Sequence, residues 1–160
     1  MKPKDRIEVI FEGIDGCGKT SIISMLQALY GGEVVKEKVK CPTPCLLSGE
    51  AITQSHVREY LRQLEITRKF WVNHLENHPA RIIYRDRFTA STEVYQGVMM
   101  DSLAEVRFAN AGYTGKPEQV TIYLKVSPEV AYRRLRERND PELHPDPDYV
   151  LGVLSELSRA

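Results

Sequence analysis

The sequence predicts an α/β domain, a parallel sheet enclosed by helices in three layers. Strand-like apolar runs alternate with stretches of helical periodicity along the chain, the pattern that gives parallel strands joined by right-handed crossovers. The 160 residues are 42% hydrophobic and 28% charged, with 10 Gly and 9 Pro. That suits one globular domain with a real core. No repeat, low-complexity tract or linker divides residues 1–160.

Each element has its own signal. Residues 6–12 (R-I-E-V-I-F-E) read as a strand ending at Gly13. Residues 19–30 carry Ile22, Ile23, Leu26, Leu29 and Tyr30 at helical spacing, and Gly31-Gly32 stops the helix. Residues 33–39 are a second strand, closed by Cys41-Pro42-Thr43-Pro44. Residues 53–77 form one long helix with Val57, Tyr60, Leu61, Leu64, Trp71 and Leu75 on its inner stripe, and Pro79 marks its end. Residues 81–85 are a third strand, and residues 89–110 are helical with a break near Gly97. Residues 112–117 are a loop and residues 120–126 a fourth strand. Pro128 opens a helix reaching about Arg138. A short lid region spans residues 133–148, and residues 149–159 close with a helix. The expected sheet has four strands, or five if another pairs beyond the fourth.

Lys+Arg and Asp+Glu each number 22, so the formal net charge is zero. This argues against a duplex-DNA or anionic-membrane binder, whose affinity rests on excess positive charge. No apolar run is long enough to span a bilayer. The start, Met1-Lys2-Pro3-Lys4-Asp5-Arg6, lacks the apolar core of a secretory signal. The expectation is a cytoplasmic protein without membrane or nucleic-acid partners. Cys17, Cys41 and Cys45 are too few and too uneven for a disulfide scaffold. His74 and His78 stand four apart and could share a helix face near Cys41 and Cys45. Structural zinc sites show two tight ligand pairs, so these histidines read as solvent-facing and the cysteines as small buried thiols.

The strongest motif is Gly13-Ile14-Asp15-Gly16-Cys17-Gly18-Lys19-Thr20, which fits G-x-x-x-x-G-K-S/T. It follows a predicted strand and opens a predicted helix, as phosphate binding requires. Chance supplies that spacing in about half a percent of chains this long. Gly13, Gly16, Cys17 and Gly18 would turn backbone N–H groups onto phosphate oxygens at a helix N-terminus. Lys19 would reach the β- and γ-phosphates, and the Thr20 hydroxyl would ligate Mg²⁺. The fourth strand ends Tyr123-Leu124-Lys125-Val126-Ser127-Pro128, without the Asn-Lys-x-Asp signature of a GTPase. The chain is also short for a motor domain, which favours a kinase using ATP and Mg²⁺.

Three segments resemble the thymidylate kinase family of nucleoside monophosphate kinases. Phe11-Glu12-Gly13-Ile14-Asp15-Gly16 through Lys19-Thr20 resembles its first strand and phosphate loop. Asp86-Arg87-Phe88, Ser91 and Tyr95-Gln96-Gly97 are similar to its D-R-Y/F-x-x-S-x-x-x-Y-Q-G segment. Residues 121–131 resemble its fourth strand and following helix. Asp86, delivered by an apolar strand to the sheet edge beside the phosphate loop, suits a water-mediated Mg²⁺ ligand that orients the acceptor oxygen. Arg87 offers a planar fork to an acceptor phosphate. The resemblance implies that Asp15 binds the acceptor's sugar 3′-hydroxyl and that Tyr95 crowds the 2′ position. It also places Ser91 and Thr92 beside the acceptor. Lys40 stands where the family has a phosphate-binding arginine, Arg68 where an arginine reads the pyrimidine edge, and Leu64 where an aromatic stacks on the base.

Leucine cannot stack, a contact worth about 1–3 kcal/mol per base in nucleic-acid complexes, so Phe88 or Tyr60 would have to substitute or the base differ. One family branch has a catalytic arginine where Gly16 stands; the other supplies lid arginines. Arg133, Arg134, Arg136 and Arg138 offer these here, with Arg134 and Arg138 on one face matching best. The chain ends where the family would continue into a fifth strand and last helix, as in a compact viral or phage-type variant, for which the compartment would be the host cytoplasm. The expected activity is transfer of the γ-phosphoryl of ATP to a deoxynucleoside monophosphate, dTMP or a modified deoxyuridylate, by a homodimer of the kind the family forms. Two rivals stay open: a kinase of this fold acting on a deoxynucleoside or a hydroxymethylated base in DNA, and a non-catalytic ATP-binding regulatory module.

Overall fold

The computed structural model describes residues 5–39, 45–113 and 118–160. Four parallel strands, β1 (Ile7–Glu12), β2 (Glu33–Lys36), β3 (Ile82–Asp86) and β4 (Gln119–Tyr123), pair in the order β2-β3-β1-β4. Helix α1 (Lys19–Tyr30) joins β1 to β2, and α2 (Gln54–Glu76) joins β2 to β3. After β3 come α3 (Thr89–Thr92), a π-helical stretch Glu93–Val98 and α4 (Leu103–Asn110). Helices α5 (Pro128–Glu137) and α6 (Pro147–Arg159) follow β4.

Strand alternation sorts the helices onto two faces. Val9, Phe11, Val34, Ile82 and Tyr84 face α1 and meet Ile22, Ile23 and Leu26. Val35 and Ile83 face the other way and meet Trp71 and Leu75 of α2. A third cluster binds α5 to α6 beyond the sheet edge through Leu135, Val150, Leu154 and Leu157, all 2% exposed or less. Each such side chain contributes about 1.5–3 kcal/mol.

The helix ends follow from local chemistry. Thr53 caps α2, accepting from His56 N at 3.4 Å, while His56 Nδ1 accepts from Thr53 N at 3.2 Å. Ser127 accepts from Val130 N at 3.3 Å and precedes Pro128 at the first turn of α5. The expected break near Gly97 is the π-helical stretch, where Ser102 N donates to Gly97 O at 2.8 Å.

Two strands are shorter than their sequences suggest. β2 stops at Lys36, not residue 39, because Lys36 pairs with Asp86, the last residue of β3. β4 runs from Gln119 to Tyr123, not 120–126, because its partner β1 ends at Glu12, opposite Tyr123. Leu124 and Val126 turn instead onto the α5–α6 cluster. No fifth strand occurs among the described residues. The stripe of α2 buries Val57, Leu64 and Leu75, but also Arg68, while Tyr60, Leu61 and Trp71 are half-buried. Nor do both histidines face solvent: His74 is exposed, but His78 is half-buried beside Glu33. Cys17 is buried and Cys45 half-buried; Cys41 lies outside the described residues. No described helix is long and apolar enough to cross a membrane.

Candidate active site

The strands point their C-terminal ends at one rim, and the loop after β1 closes over it. Gly13 has φ 143° and Gly16 φ 78°, conformations that side chains rarely adopt. A Cβ on Gly13 would sit 2.5 Å from Leu124 O, and one on Gly16 2.6 Å from Ala131 O. At these two glycines the loop is therefore bare backbone, pressed against Leu124 just past β4 and Ala131 of α5. Lys19, at the start of α1, folds back and donates to Gly13 O at 2.8 Å and Ile14 O at 3.0 Å, with Cys17 Sγ at 3.4 Å. Burial and the nearby Arg87 charge lower its pKa.

Thr20 Oγ1 donates to Asp86 Oδ2 at 2.8 Å. Lys36 Nζ lies 3.5 Å from the same oxygen. One hydroxyl, one carboxylate and one ammonium thus meet where α1 begins and β3 and β2 end. Two hard oxygen donors at this spacing fit Mg²⁺, which takes few protein ligands and fills its octahedron with water and phosphate.

Asp15 turns away from the loop. Arg87 Nη2 donates to its Oδ1, and Tyr95 Oη donates to its Oδ2 at 2.8 Å. Burial opposes ionisation of Asp15, but Arg87, the Tyr95 hydroxyl and Lys19 outweigh it and hold the carboxyl below its ordinary range. Burial is the largest influence on Arg87 and lowers its pKa, but Asp15, Tyr95 and Glu12 together outweigh it and raise the pKa. Arg87 has φ 71°, a conformation that costs a non-glycine residue on the order of 1–3 kcal/mol. Its N–H donates to Phe11 O at 3.0 Å, and its guanidinium lies 4.6 Å from the Tyr95 ring centre. Glu12 anchors the segment from below, accepting from Phe88 N at 2.9 Å, Ser91 N at 3.3 Å and Ser91 Oγ.

Arg68 is only 2% exposed. Its Nε donates to Glu37 at 3.0 Å, Nη1 to Asn110 Oδ1 at 2.7 Å and Nη2 to Thr92 Oγ1 at 3.5 Å. Its guanidinium lies between the Phe88 and Tyr113 rings at 5.1 and 5.0 Å. Burial raises the Glu37 carboxyl despite Arg68 and Arg85 beside it. Leu64 is buried, and Tyr60 lines the adjoining cleft.

Two clefts meet here. One, of about 540 Å³, runs over the phosphate loop past Lys19 and Thr20 to Arg134 and Arg138. The other, of about 240 Å³, is lined by Glu37, Tyr60, Phe88, Ser91, Thr92, Tyr95 and Gln96. They share Asp15, Asp86 and Arg87. Arg134 Nη1 donates to Gly16 O at 3.2 Å and Cys17 O at 3.3 Å, and Arg138 to Asp140 at 2.8 Å. Arg133 instead faces Glu137, and Arg136 the Tyr132 ring.

Lys40 lies outside the described residues. Sequence reasoning passed over Lys36, which the early end of β2 brings opposite Asp86. Its signal was the register: the last residue of β2 faces the last residue of β3. Glu12, Glu37 and Asn110 were also missed, because their partners are distant in sequence.

Residues 11–146 match the thymidylate kinase family model. The thymidylate kinase of Thermoanaerobacter sp. (strain X514) is 30% identical over 154 residues, covering 84% of this chain and 73% of that protein. The probable thymidylate kinase of Methanosarcina acetivorans is 26% identical over 160 residues, covering 91% and 77%. Among solved structures, deoxyadenosine kinase from M. mycoides, with products dCMP and a flexible dCDP bound, aligns at TM-score 0.69 and 18% identity over 96% of this chain and 82% of that one. Thymidylate kinase from Ehrlichia chaffeensis aligns at TM-score 0.54 and 20% identity over 95% and 98%. The structural likenesses show the fold, and the family match with the sequence relatives shows the lineage: this chain belongs to the thymidylate kinase family.

Proposed function

We propose that the protein transfers the γ-phosphoryl of ATP to dTMP or a related deoxyuridylate, giving the diphosphate. The observation that carries this reading is the pair of clefts joined at Asp15, Asp86 and Arg87. A donor bound along the phosphate loop and an acceptor in the smaller cleft would meet end to end there. An oxygen of the acceptor phosphate attacks the γ-phosphorus while the bond to the β-bridging oxygen breaks. That oxygen is already ionised at neutral pH, so no side chain must remove a proton. The protein contributes position and positive charge.

Lys19 leaves the Gly13 and Ile14 carbonyls to lie between the β- and γ-phosphates, and Arg134 and Arg138 flank the donor from α5. Arg87 and Lys36 hold the acceptor phosphate. Asp15 and Tyr95 take the sugar, and Arg68, buried behind the cleft rather than open to the base, holds Glu37 and Thr92 in place along its wall. Thr20 and Asp86 would hold Mg²⁺, which when bound neutralises phosphate charge. The exposed Ile66 and Phe70, one turn apart on α2, support the homodimer implied by the resemblance, and a reaction drawing on ATP is assigned to the cytoplasm.

Initial rates with each monophosphate at fixed Mg·ATP test the reading. The expected order is deoxyuridylate derivatives including dTMP, then dCMP, then purines, with ribonucleotides poor. Turnover of free nucleosides or duplex DNA, with none of the monophosphates, would overturn it.

A further inference from the structure

Far from the phosphate loop, the opposite rim of the sheet holds a second group of ligand-type side chains. Glu33 opens edge strand β2, His74 lies in the last turn of α2, and His78 follows the Asn77 cap. One ligand atom from each lies within 4.8 Å of the other two. His74 Nε2 is 3.8 Å from Glu33 Oε1 and His78 Nε2 is 3.7 Å from Glu33 Oε2. These gaps are too long for direct hydrogen bonds. Among the described residues, no Lys or Arg pairs with Glu33.

The backbone that sets this spacing is fixed from beneath. Buried Arg6 donates from Nε to Ala80 O at 3.1 Å, from Nη1 to Leu75 O at 2.5 Å and from Nη2 to His78 O. His78 N donates to Leu75 O at 3.3 Å, holding the chain in one more turn past the helix. The two imidazoles therefore stand on the same side, ring centres 5.1 Å apart. His74 is further set by Phe70, stacked at 6.0 Å, and by the edge contact with Trp71 at 5.4 Å.

We infer that Glu33, His74 and His78 form a binding site for a borderline transition-metal cation, with Zn²⁺ the reference case, distinct from the Mg²⁺ position. Two imidazole nitrogens and one carboxylate select Zn²⁺, Ni²⁺ or Cu²⁺ over Mg²⁺ and Ca²⁺. Three protein ligands leave a fourth position to water. A tetrahedral shell with bonds of about 2.0–2.1 Å spaces its donors roughly 3.3 Å apart, so the three ligand atoms, now within 4.8 Å of one another, would draw together on binding through side-chain rotation. Binding at His78 Nε2 puts the proton on Nδ1, so the 3.3 Å contact from Ala80 N is given up. The bound ion ties the end of α2 to the edge strand, two elements otherwise joined there by Val35 and Leu75.

Zinc chloride titrated calorimetrically into the full chain tests this. One ion per chain is expected, with a rise in Tm at saturation and no competition from Mg²⁺. His74→Gln and His78→Gln should each weaken binding by more than the roughly tenfold that loss of a hydrogen-bonded partner of a metal ligand already costs. A Cys41→Ser/Cys45→Ser double variant should bind unchanged. In the unaltered protein, NMR ring-proton signals of two of the four histidines should shift on adding zinc, which needs no variant to fold. The inference is overturned by no binding at millimolar zinc, by binding that survives both histidine changes, by loss in the cysteine variant, or by displacement with Mg·ATP.

Discussion

On the α1 side of the sheet, Val9, Phe11, Val34, Ile82 and Tyr84 meet Ile22, Ile23 and Leu26 in an apolar seam. On the α2 side, the same strands present Glu8, Glu12 and Arg85, and the loop after β2 adds Glu37. Arg85 donates to Glu8 at 2.9 Å, and Arg68 links Glu37 to Asn110 and Thr92. Desolvating an ion costs several kcal/mol, so a charged layer holds together only when every member is partnered. Among the described residues, no buried side-chain nitrogen or oxygen lacks a hydrogen bond. The apolar face carries α1 and the loop before it, where the larger cleft runs over backbone. The charged face backs the smaller cleft, where side chains must be aimed. In the proposed reaction, donor recognition would rest on main-chain shape, and acceptor recognition on side chains held by a buried ionic lattice.

Substitutions on the two faces should therefore fail differently. Arg68→Ala leaves Glu37 buried without its main partner, an expected loss of about 3–5 kcal/mol in urea unfolding, together with a raised KM for the acceptor. Ile23→Ala on the apolar face should cost about 2–5 kcal/mol and leave the acceptor KM unchanged. A double change, Arg68→Met with Glu37→Leu, should recover stability without recovering acceptor binding. If acceptor KM returned with stability, the lattice would be scaffolding alone.

Lys19→Ala comes next in size. Among the described cations, Lys19 alone donates to the Gly13 and Ile14 carbonyls, and removing one such charge costs about 10²–10³ in rate. The buried ammonium also donates to two loop carbonyls, so a modest fall in the urea midpoint should accompany the much larger fall in rate. A wild-type kcat would refute the donor-side assignment.

These contrasts also show which parts of the molecule were legible in the sequence. Residues 19–30 and 128–137 stand out because glycine, proline and apolar spacing act within a few residues. The phosphate loop was legible for the same reason. Strand lengths were not, because Lys36 and Tyr123 end their strands only where Asp86 and Glu12 end theirs. Arg68 occupies a position on the α2 stripe that a local reading leaves out. Its partners Glu37 and Asn110 lie 31 and 42 residues away, so nothing nearby signals that a charge can be buried there. His74 and His78 read as solvent-facing because Glu33 comes from another element.

Arg87 lies on the boundary between the two regions, and its substitution sharpens the comparison. Arg87→Ala should lower kcat and raise the acceptor KM, together by about 10–100-fold, with the KM for ATP nearly unchanged. Arg87→Lys should restore part of this, since charge returns without the bidentate fork. Equal losses for donor and acceptor would mean that the end of β3 had collapsed.

The smallest effect concerns acid stability. Asp15 has its pKa lowered in the folded protein, so its ionised form contributes stability above the ordinary carboxylate pKa near 3.8. That contribution is lost as pH falls through the still lower folded value. The charged and titratable groups set against it are Arg87, Tyr95 and Lys19, and none of them changes charge in that range. Asp15→Asn cannot ionise, so it should be less stable than wild type at pH 6 and lose less on going to pH 3. Urea unfolding of both proteins across that interval isolates the difference, since every other carboxylate is common to the two. Parallel curves would mean that Arg87 gains nothing from Asp15 in the free protein. The ion pair joining the two clefts would then form only when an acceptor binds.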